Sequence, residues 1–401
     1  MENNPYIAIF LLLFPLGLSA SERISLSDYL AKVRENDLEL KTEVSKAEAA
    51  DARSSGIALP PPMVAFARMR DDAGTSRGYE INQMIPFPTK LTNDHSGRKE
   101  ESRAQKEMNL AKEREILAQA KRAYFSLWVA QEKIEILKEK KDIIEGHIKL
   151  SRSGVRSDSF LKIHLLKSES DLDLLENEIE EANQALRESK VRAAELVNAD
   201  AASFDVTASE PPESKVSSST EKTGLSHQVE SKRHTLESFK SFESVANSSW
   251  LPDFTLRYKQ MGPGSMFGQY NEAMVGVTLP FVFFWEPNAA SKDASQKRVQ
   301  AELELEQAER RIENERYSLT RKAMSLKSQL ENINTKLLPR AKTRMNLVHN
   351  IVPRDMESLQ DHRETMEAFP DLKLKALDLR LEFETAVSEL EKYTSSEAAH
   401  E

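Results

Sequence analysis

Leu165, Leu172, Ile179 and Leu186 recur at strict intervals of seven. A repeat of that period is a coiled-coil seam, and it commits its segment to a helix laid along another helix. The preceding stretch carries the complementary pattern. Leu110, Leu117 and Tyr124 recur at seven, with Ala120, Leu127 and Ile134 offset by three. From about Lys90 to Leu150 there is no Pro, and the only glycines are Gly97 and Gly146. A helix of that length reaches roughly 90 Å. "SRSGVRSDS" at 151–159, with Gly154 inside it, reads as the turn between the two helices.

The pattern occurs twice. In the first copy a helix is expected over 24–54, with Ser25 and Ser27 as capping candidates, and "LPPP" at 59–62 ends it. "MVAFARMRD" then reads as a strand, "DAGTSRG" as a turn and "YEINQMIPF" as a second strand. In the second copy a helix over about 226–248 precedes "SWLPDFTLRYKQM" and "EAMVGVTLPF", two strands around the turn "GPGSMFGQYN". A helix from about Ala289 to Val348 follows, with Ile312, Leu319, Leu326 and Ile333 at sevens and Ala323, Leu330 and Leu337 offset. "HNIVPRD", containing Pro353, breaks it before a last helix to about Tyr393. Leu59-Pro60 matches Leu251-Pro252, and Pro86 matches Pro280. One unit of helix, hairpin, long helix and shorter helix has been duplicated. Residues 1–20, with "IAIFLLLFPLGLS", read as a cleaved signal peptide. The expected divisions are then a first repeat at 21–198, a Ser-, Pro- and Glu-rich linker at 199–225, a second repeat at 226–395 and a tail at 396–401. Beyond the signal peptide no stretch approaches the ~20 apolar residues of a transmembrane helix.

The strands have one apolar and one wet face. Tyr79, Ile81, Ile85 and Phe87 alternate with Glu80, Asn82 and Met84. Phe254, Leu256 and Tyr258 oppose Thr255, Arg257 and Lys259. Ala273, Val275, Val277, Leu279 and Phe281 oppose Met274, Gly276 and Thr278. Four strands cannot close into a barrel, for which eight is the usual minimum. Either helices cover the apolar face, or several subunits pool strands with that face toward lipid. Three subunits would supply twelve strands. Phe87, Phe281, Phe283, Phe284 and Trp285, beside the strand ends, suit an aromatic girdle. Tyr79, Ile81, Phe254, Leu256, Val275, Val277, Leu279 and Phe281 are therefore the candidate lipid-facing residues.

Composition removes most chemistry. There is no Cys, so disulfides, thiolate catalysis and cysteine zinc sites are excluded. A net charge of −9 gives no footprint for nucleic acid. No phosphate-binding glycine motif and no HExxH occur, and His147 and His164 are expected on helix surfaces. Met63, Met69, Met84, Met261, Met266 and Met274 lie on or beside the hairpins. Thioethers suit Cu(I), but methionine is also a common filler, and no metal or cofactor is assigned. No catalytic constellation is found, so the chain is read as a non-enzyme.

The order of these segments resembles the TolC family of outer-membrane efflux channels. "ISLSDYLAKVREND" resembles the family's opening helix. "QMIPFPTKLTNDHSGRKEESRAQKE" resembles the exit from the membrane barrel into the long helix, and "VTLPFVFFWEPNAASKDASQKRVQAE" is its second copy. "SRSGVRSDSFLKIHLLKSESDLDLLENEIEEANQAL" is similar to the helix-turn-helix tip, and "LLPRAKTRMNLV" to the approach to the second tip. "IALPPPMVAF" looks somewhat like the heavy-metal-efflux branch. His349 and Val352 stand where the family has an aromatic and a Gly, and Pro370 is expected to kink the last helix.

The resemblance implies a mainly α fold with a small β part. It implies a homotrimer, with an α-helical barrel in the periplasm and a twelve-stranded β-barrel in the outer membrane of a Gram-negative bacterium. The partners implied are a periplasmic adaptor, an inner-membrane pump (proton-driven or ABC type) and outer-membrane lipid. The channel would be a passive exit duct of an efflux or secretion system. Arg354, Asp355 and Asp361 would lie at a narrow periplasmic gate, with Gly154 and Pro353 in the tip turns, and Asp158 a weaker candidate. The competing reading is a periplasmic coiled-coil adaptor or scaffold without a membrane barrel.

Overall fold

The computed structural model describes residues 22–154, 159–214, 226–264, 266–283, 285–349 and 356–393. The expected signal peptide, the C-terminal tail, Asp158, Pro353, Arg354 and Asp355 lie outside them. The chain forms two compact units. One comprises Met1–Asn36, Ala123–Glu213 and Ile333–Leu381; the other comprises Asp37–Arg122, Ser214–Asn332 and Glu382–Glu401.

The helix expected over 24–54 is two helices, α1 (Leu26–Asn36) and α2 (Leu38–Ser54). Asp37 divides them. Its backbone is extended (φ −60°, ψ 127°) and its carboxylate accepts from the Leu40 N–H at 2.8 Å, capping α2. Ser25, not Ser27, caps α1, its Oγ accepting from the Asp28 N–H at 3.2 Å. Within the segment read as a linker, β4 (Val206–Ala208) pairs in parallel with β1 (Glu22–Ile24). Polar composition hid this short strand, whose Val206 and Ala208 are buried.

The long helices form as the seams require. They are α3 (Pro88–Gly154), α4 (Ser159–Leu196), α6 (Trp285–Asn332), α7 (Leu338–His349) and α8 (Met356–Glu391). In the first unit, Ile134, Leu137, Ile144 and Ile148 of α3 pack with Leu175 and Ala182 of α4. Leu165, Leu172, Ile179 and Leu186 flank that core, together with Leu374 of α8. The heptad seam is therefore the line along which α4 meets its neighbours. In the second unit, α5 (His227–Asn247) packs on both long helices. Ser231 Oγ donates to the Ala104 carbonyl of α3 at 2.8 Å, and Arg298 of α6 pairs with Glu243 at 2.9 Å. Gly97 has a packing reason: a Cβ there would stand 2.7 Å from the Phe242 ring of α5.

Pro339 and Pro370 of the long helices are absorbed differently. A π-helical turn over Ile333–Leu337 precedes Pro339. A wider turn relieves the clash of a proline ring with the preceding carbonyls. α8 carries Pro370 inside one uninterrupted helix, with the proline fully buried.

The strands are β2 (Met63–Asp71), β3 (Gly74–Ile85), β5 (Phe254–Met261) and β6 (Tyr270–Val277). The expected turn "DAGTSRG" is mostly strand, because Asp71 Oδ1 accepts from the N–H groups of Ala73 and Gly74 and closes the loop at once. β6 stops at Val277, so Leu279 and Phe281 lie beyond the strand in which they were expected. Asp253 and Thr278 end the β5–β6 pairing with a reciprocal clamp. Asp253 N–H donates to Thr278 Oγ1 at 2.7 Å, and Thr278 N–H donates to the Asp253 carbonyl at 2.9 Å.

Candidate functional site

The two hairpins form one antiparallel sheet in the order β2-β3-β5-β6. Its centre is the β3–β5 ladder, from Gly78 opposite Met261 to Ile85 opposite Phe254. The approach is close there: a Cβ on Gly78 would overlap the Gln260 carbonyl at 1.8 Å. The sheet is open, and among the described residues β2 and β6 are edge strands.

Residues directly opposite in a ladder share a face. The register therefore places Val64, Ile81, Tyr258 and Ala273 in one row. Gln83, Leu256 and Val275 form the next row toward the helices, and Ile85, Phe254 and Val277 the row after that. On the tip side stand Phe66 and Tyr79, opposite Gln260 and Asn271. Most of this apolar face is exposed: Phe66 is 73% exposed, Val64 and Val275 69% and Val277 51%. Tyr79, Ile81, Leu256, Leu279 and Phe281 are exposed as well, and Phe254 is half-buried. Aromatic pairs bound the face at both ends. Tyr79 and Tyr258 lie 6.5 Å apart near the tips, and Phe87 stacks on Phe254 at 6.4 Å near the helices.

The other face is polar. Glu80, Lys259 and Glu272 stand in one row with alternating sign, and Arg257 Nε lies 3.1 Å from Glu80 Oε1. At the base, Asp253 Oδ1 accepts from Lys90 Nζ at 2.8 Å and from the Phe87 N–H at 2.9 Å. This carboxylate ties the second hairpin to the start of α3. At the tips, Asp71 Oδ2 accepts from the Met266 N–H at 2.7 Å, joining the two hairpin loops.

The first unit holds a second polar feature. His147, expected on a surface, is 4% exposed beneath α8. Its Nε2 lies 3.3 Å from His362 Nδ1, with ring centroids 5.0 Å apart. Its Nδ1 is buried without a hydrogen-bond partner among the described residues. Burial, the facing His362 and the Arg363 cation hold the His147 imidazole well below its ordinary value of 6.5, at about 4. Arg363 is itself fixed by Asp171 of α4 at 2.7 Å and by Glu367. His164, Lys167 and Ser168 of α4 and Glu364 of α8 complete the surroundings. The sequence signal for His147 is its place three residues after Ile144 and four before Ser151, both buried.

Of the gate candidates, Asp361 lies on an exposed position of α8, and Gly154 is the last residue of α3. Among the described residues no three acidic or histidine side chains form a metal cluster, and no helix is long and apolar enough to cross a membrane.

No protein-family model matches the sequence, and no curated protein matches it. Solved structures do. The CmeC outer membrane channel of Campylobacter jejuni matches with a TM-score of 0.75 at 14% identity, over 92% of this chain and 86% of that one. The MtrE outer membrane channel of Neisseria gonorrhoeae matches at 0.75 and 13%, over 92% and 88%. The outer membrane protein VceC of Vibrio cholerae matches at 0.72 and 13%, over 90% and 96%. The chain has the fold of these outer-membrane proteins across nearly its whole length.

Proposed function

We propose that the chain is the outer-membrane channel of a tripartite efflux or secretion system, a passive duct that catalyses nothing. The observation that carries this reading is the sheet. Its apolar face is exposed, bounded by aromatic residues at both ends, and backed by a face of charged residues. A face of that kind is costly in water and suited to lipid. Two open edges at β2 and β6 invite pairing between copies. Three copies would close twelve strands into a barrel with Glu80, Arg257, Lys259 and Glu272 lining the lumen. The shared fold with outer-membrane channels supports the same reading.

On this reading the protein resides in the outer membrane of a Gram-negative bacterium, with its helices in the periplasm. A periplasmic adaptor and an inner-membrane pump deliver the cargo. Arg354, Asp355 and Asp361 form the periplasmic gate, and a ring of like carboxylates there favours cations. The TolC-family resemblance of the tip segments supports that placement.

The adaptor reading gives the apolar sheet face no role. Membrane fractionation separates the two. An integral outer-membrane protein resists carbonate and high-salt washes, whereas a peripheral adaptor is released by them. Release of the full-length chain would remove the channel reading.

A further inference from the structure

Three arginines continue the apolar sheet face toward the hairpin tips. Arg68 stands directly opposite Arg77, and Arg70 stands opposite Thr75, one step diagonal from Arg77. All three are exposed, on the same face as Phe66 and Tyr79. None has an ion-pair partner among the described residues. The two acidic groups at the tip do not serve them: neither Asp71 nor Asp72 forms an ion pair among the described residues. The Asp71 carboxylate accepts from the N–H groups of Ala73, Gly74 and Met266. Like charges directly opposite in a ladder destabilise it. Such a cluster, in a chain with net charge −9, calls for an anion.

We propose that Arg68, Arg70 and Arg77 bind the phosphate of an anionic membrane-lipid headgroup at the rim of the sheet's apolar face. The proposal rests on the channel reading above. A guanidinium presents a planar fork that matches phosphate oxygens two at a time, and it stays charged at every physiological pH. Two opposed forks with a third on the diagonal can enclose one phosphate. The occupant is a lipid because the cluster is continuous with apolar surface. Acyl chains of a molecule whose phosphate sits at Arg68 and Arg77 would run past Phe66 and Tyr79 onto Val64, Ile81 and Tyr258. A soluble phosphate uses the arginines and leaves that surface bare.

The test uses the full-length chain in detergent and a fluorescent bis-phosphorylated glucosamine lipid, with its dephosphorylated form as control. Binding is read by anisotropy at fixed ionic strength. The wild type should bind the phosphorylated form at least 10-fold more tightly. Arg68→Gln/Arg77→Gln should lose roughly 10- to 30-fold of affinity for it, at about 1 kcal/mol per basic residue, and should leave the control unchanged. Arg68→Lys/Arg77→Lys, which keeps the charge and loses the fork, should fall between. Equal binding of the two lipids by the wild type, or an unchanged double Gln variant, overturns the site. Displacement by millimolar inorganic phosphate assigns the arginines to a soluble anion and overturns the lipid reading. Carbonate extraction of the same preparations tests the parent reading separately. A chain that stays in the membrane yet shows no phosphate preference defeats this proposal alone. A chain that is extracted defeats both.

Discussion

Tyr258 of β5 stands directly opposite Ile81 of β3. The two residues belong to different hairpins, β2–β3 and β5–β6, 177 positions apart in the chain (258 − 81). Their pairing turns two hairpins into one sheet with one apolar face. An isolated two-stranded hairpin is at best marginally stable in water, because two strands bury too little. The pairing of two hairpins distant in sequence therefore creates the surface on which the functional reading depends.

Charge on that surface should be costly. Val275→Arg or Val277→Arg places a cation on the exposed apolar face, at about 2–4 kcal/mol near the bilayer midplane. Thr255→Lys, on the polar face opposite Gly276, should assemble normally. Thr278 is a poor control, because its hydroxyl accepts from the Asp253 N–H. Assembly is read by protease resistance and membrane retention, and equal behaviour of all variants would reverse the assignment of faces.

The base of the sheet should depend on Asp253. Asp253→Ala leaves Lys90 Nζ and the Phe87 N–H without their shared acceptor. A loss of about 1–3 kcal/mol is expected, read as a lower thermal midpoint. Asp253→Asn keeps an acceptor for Phe87 and should lose less.

The histidine pair should make the first unit acid-sensitive. The folded state holds His147 at about 4 against an ordinary 6.5, so below 6.5 the unfolded or opened state binds the extra proton. Stability is present in full above about pH 6.5 and falls as pH drops toward 4. Between pH 7 and pH 5 the opening equilibrium should rise about 20-fold. Hydrogen exchange over residues 358–369, corrected for intrinsic rates, reads this directly. His147→Gln should be nearly flat across the same range, and a flat wild type would contradict the assignment.

The periplasmic gate proposed above carries its own expectation. Arg354→Ala should raise single-channel conductance by removing a tether between neighbouring tips. Asp355→Ala and Asp361→Ala should lower cation preference and weaken block by multivalent cations. Unchanged conductance and selectivity in all three would move the constriction elsewhere.

Much of this architecture is written in periodicity. The sevens at Leu165 to Leu186 marked a seam, and α4 packs along it. The alternation through Val275 and Val277 marked a face, and the register assembles that face across four strands. Single side-chain contacts were not legible. Nothing local announces that Asp37 breaks a helix, because the same residue inside a helical pattern reads as solvated. Nothing announces that Thr278 ends β6, since its partner Asp253 is 25 positions away. The burial of His147 depends on which face of α3 meets α8, a long-range fact only hinted at by Ile144 and Ser151. Leu110, placed in the seam by spacing, is 40% exposed, because a period marks a stripe without naming what covers each position.

The central claim is that β2 of one copy pairs with β6 of the next. The chain has no cysteine, so introduced pairs report cleanly. Within one chain β2 and β6 are separated by β3 and β5, three strand spacings or about 14 Å, too far for a disulfide. Ala65→Cys in β2 should be combined in turn with cysteine at each position from Asn271 to Val277 in β6, in full-length protein oxidised in its membrane. At one register and its neighbours, non-reducing gels should show a ladder that ends at a covalent trimer and collapses on reduction. A ladder ending at any other number, or monomer at every position, would contradict the pooled barrel.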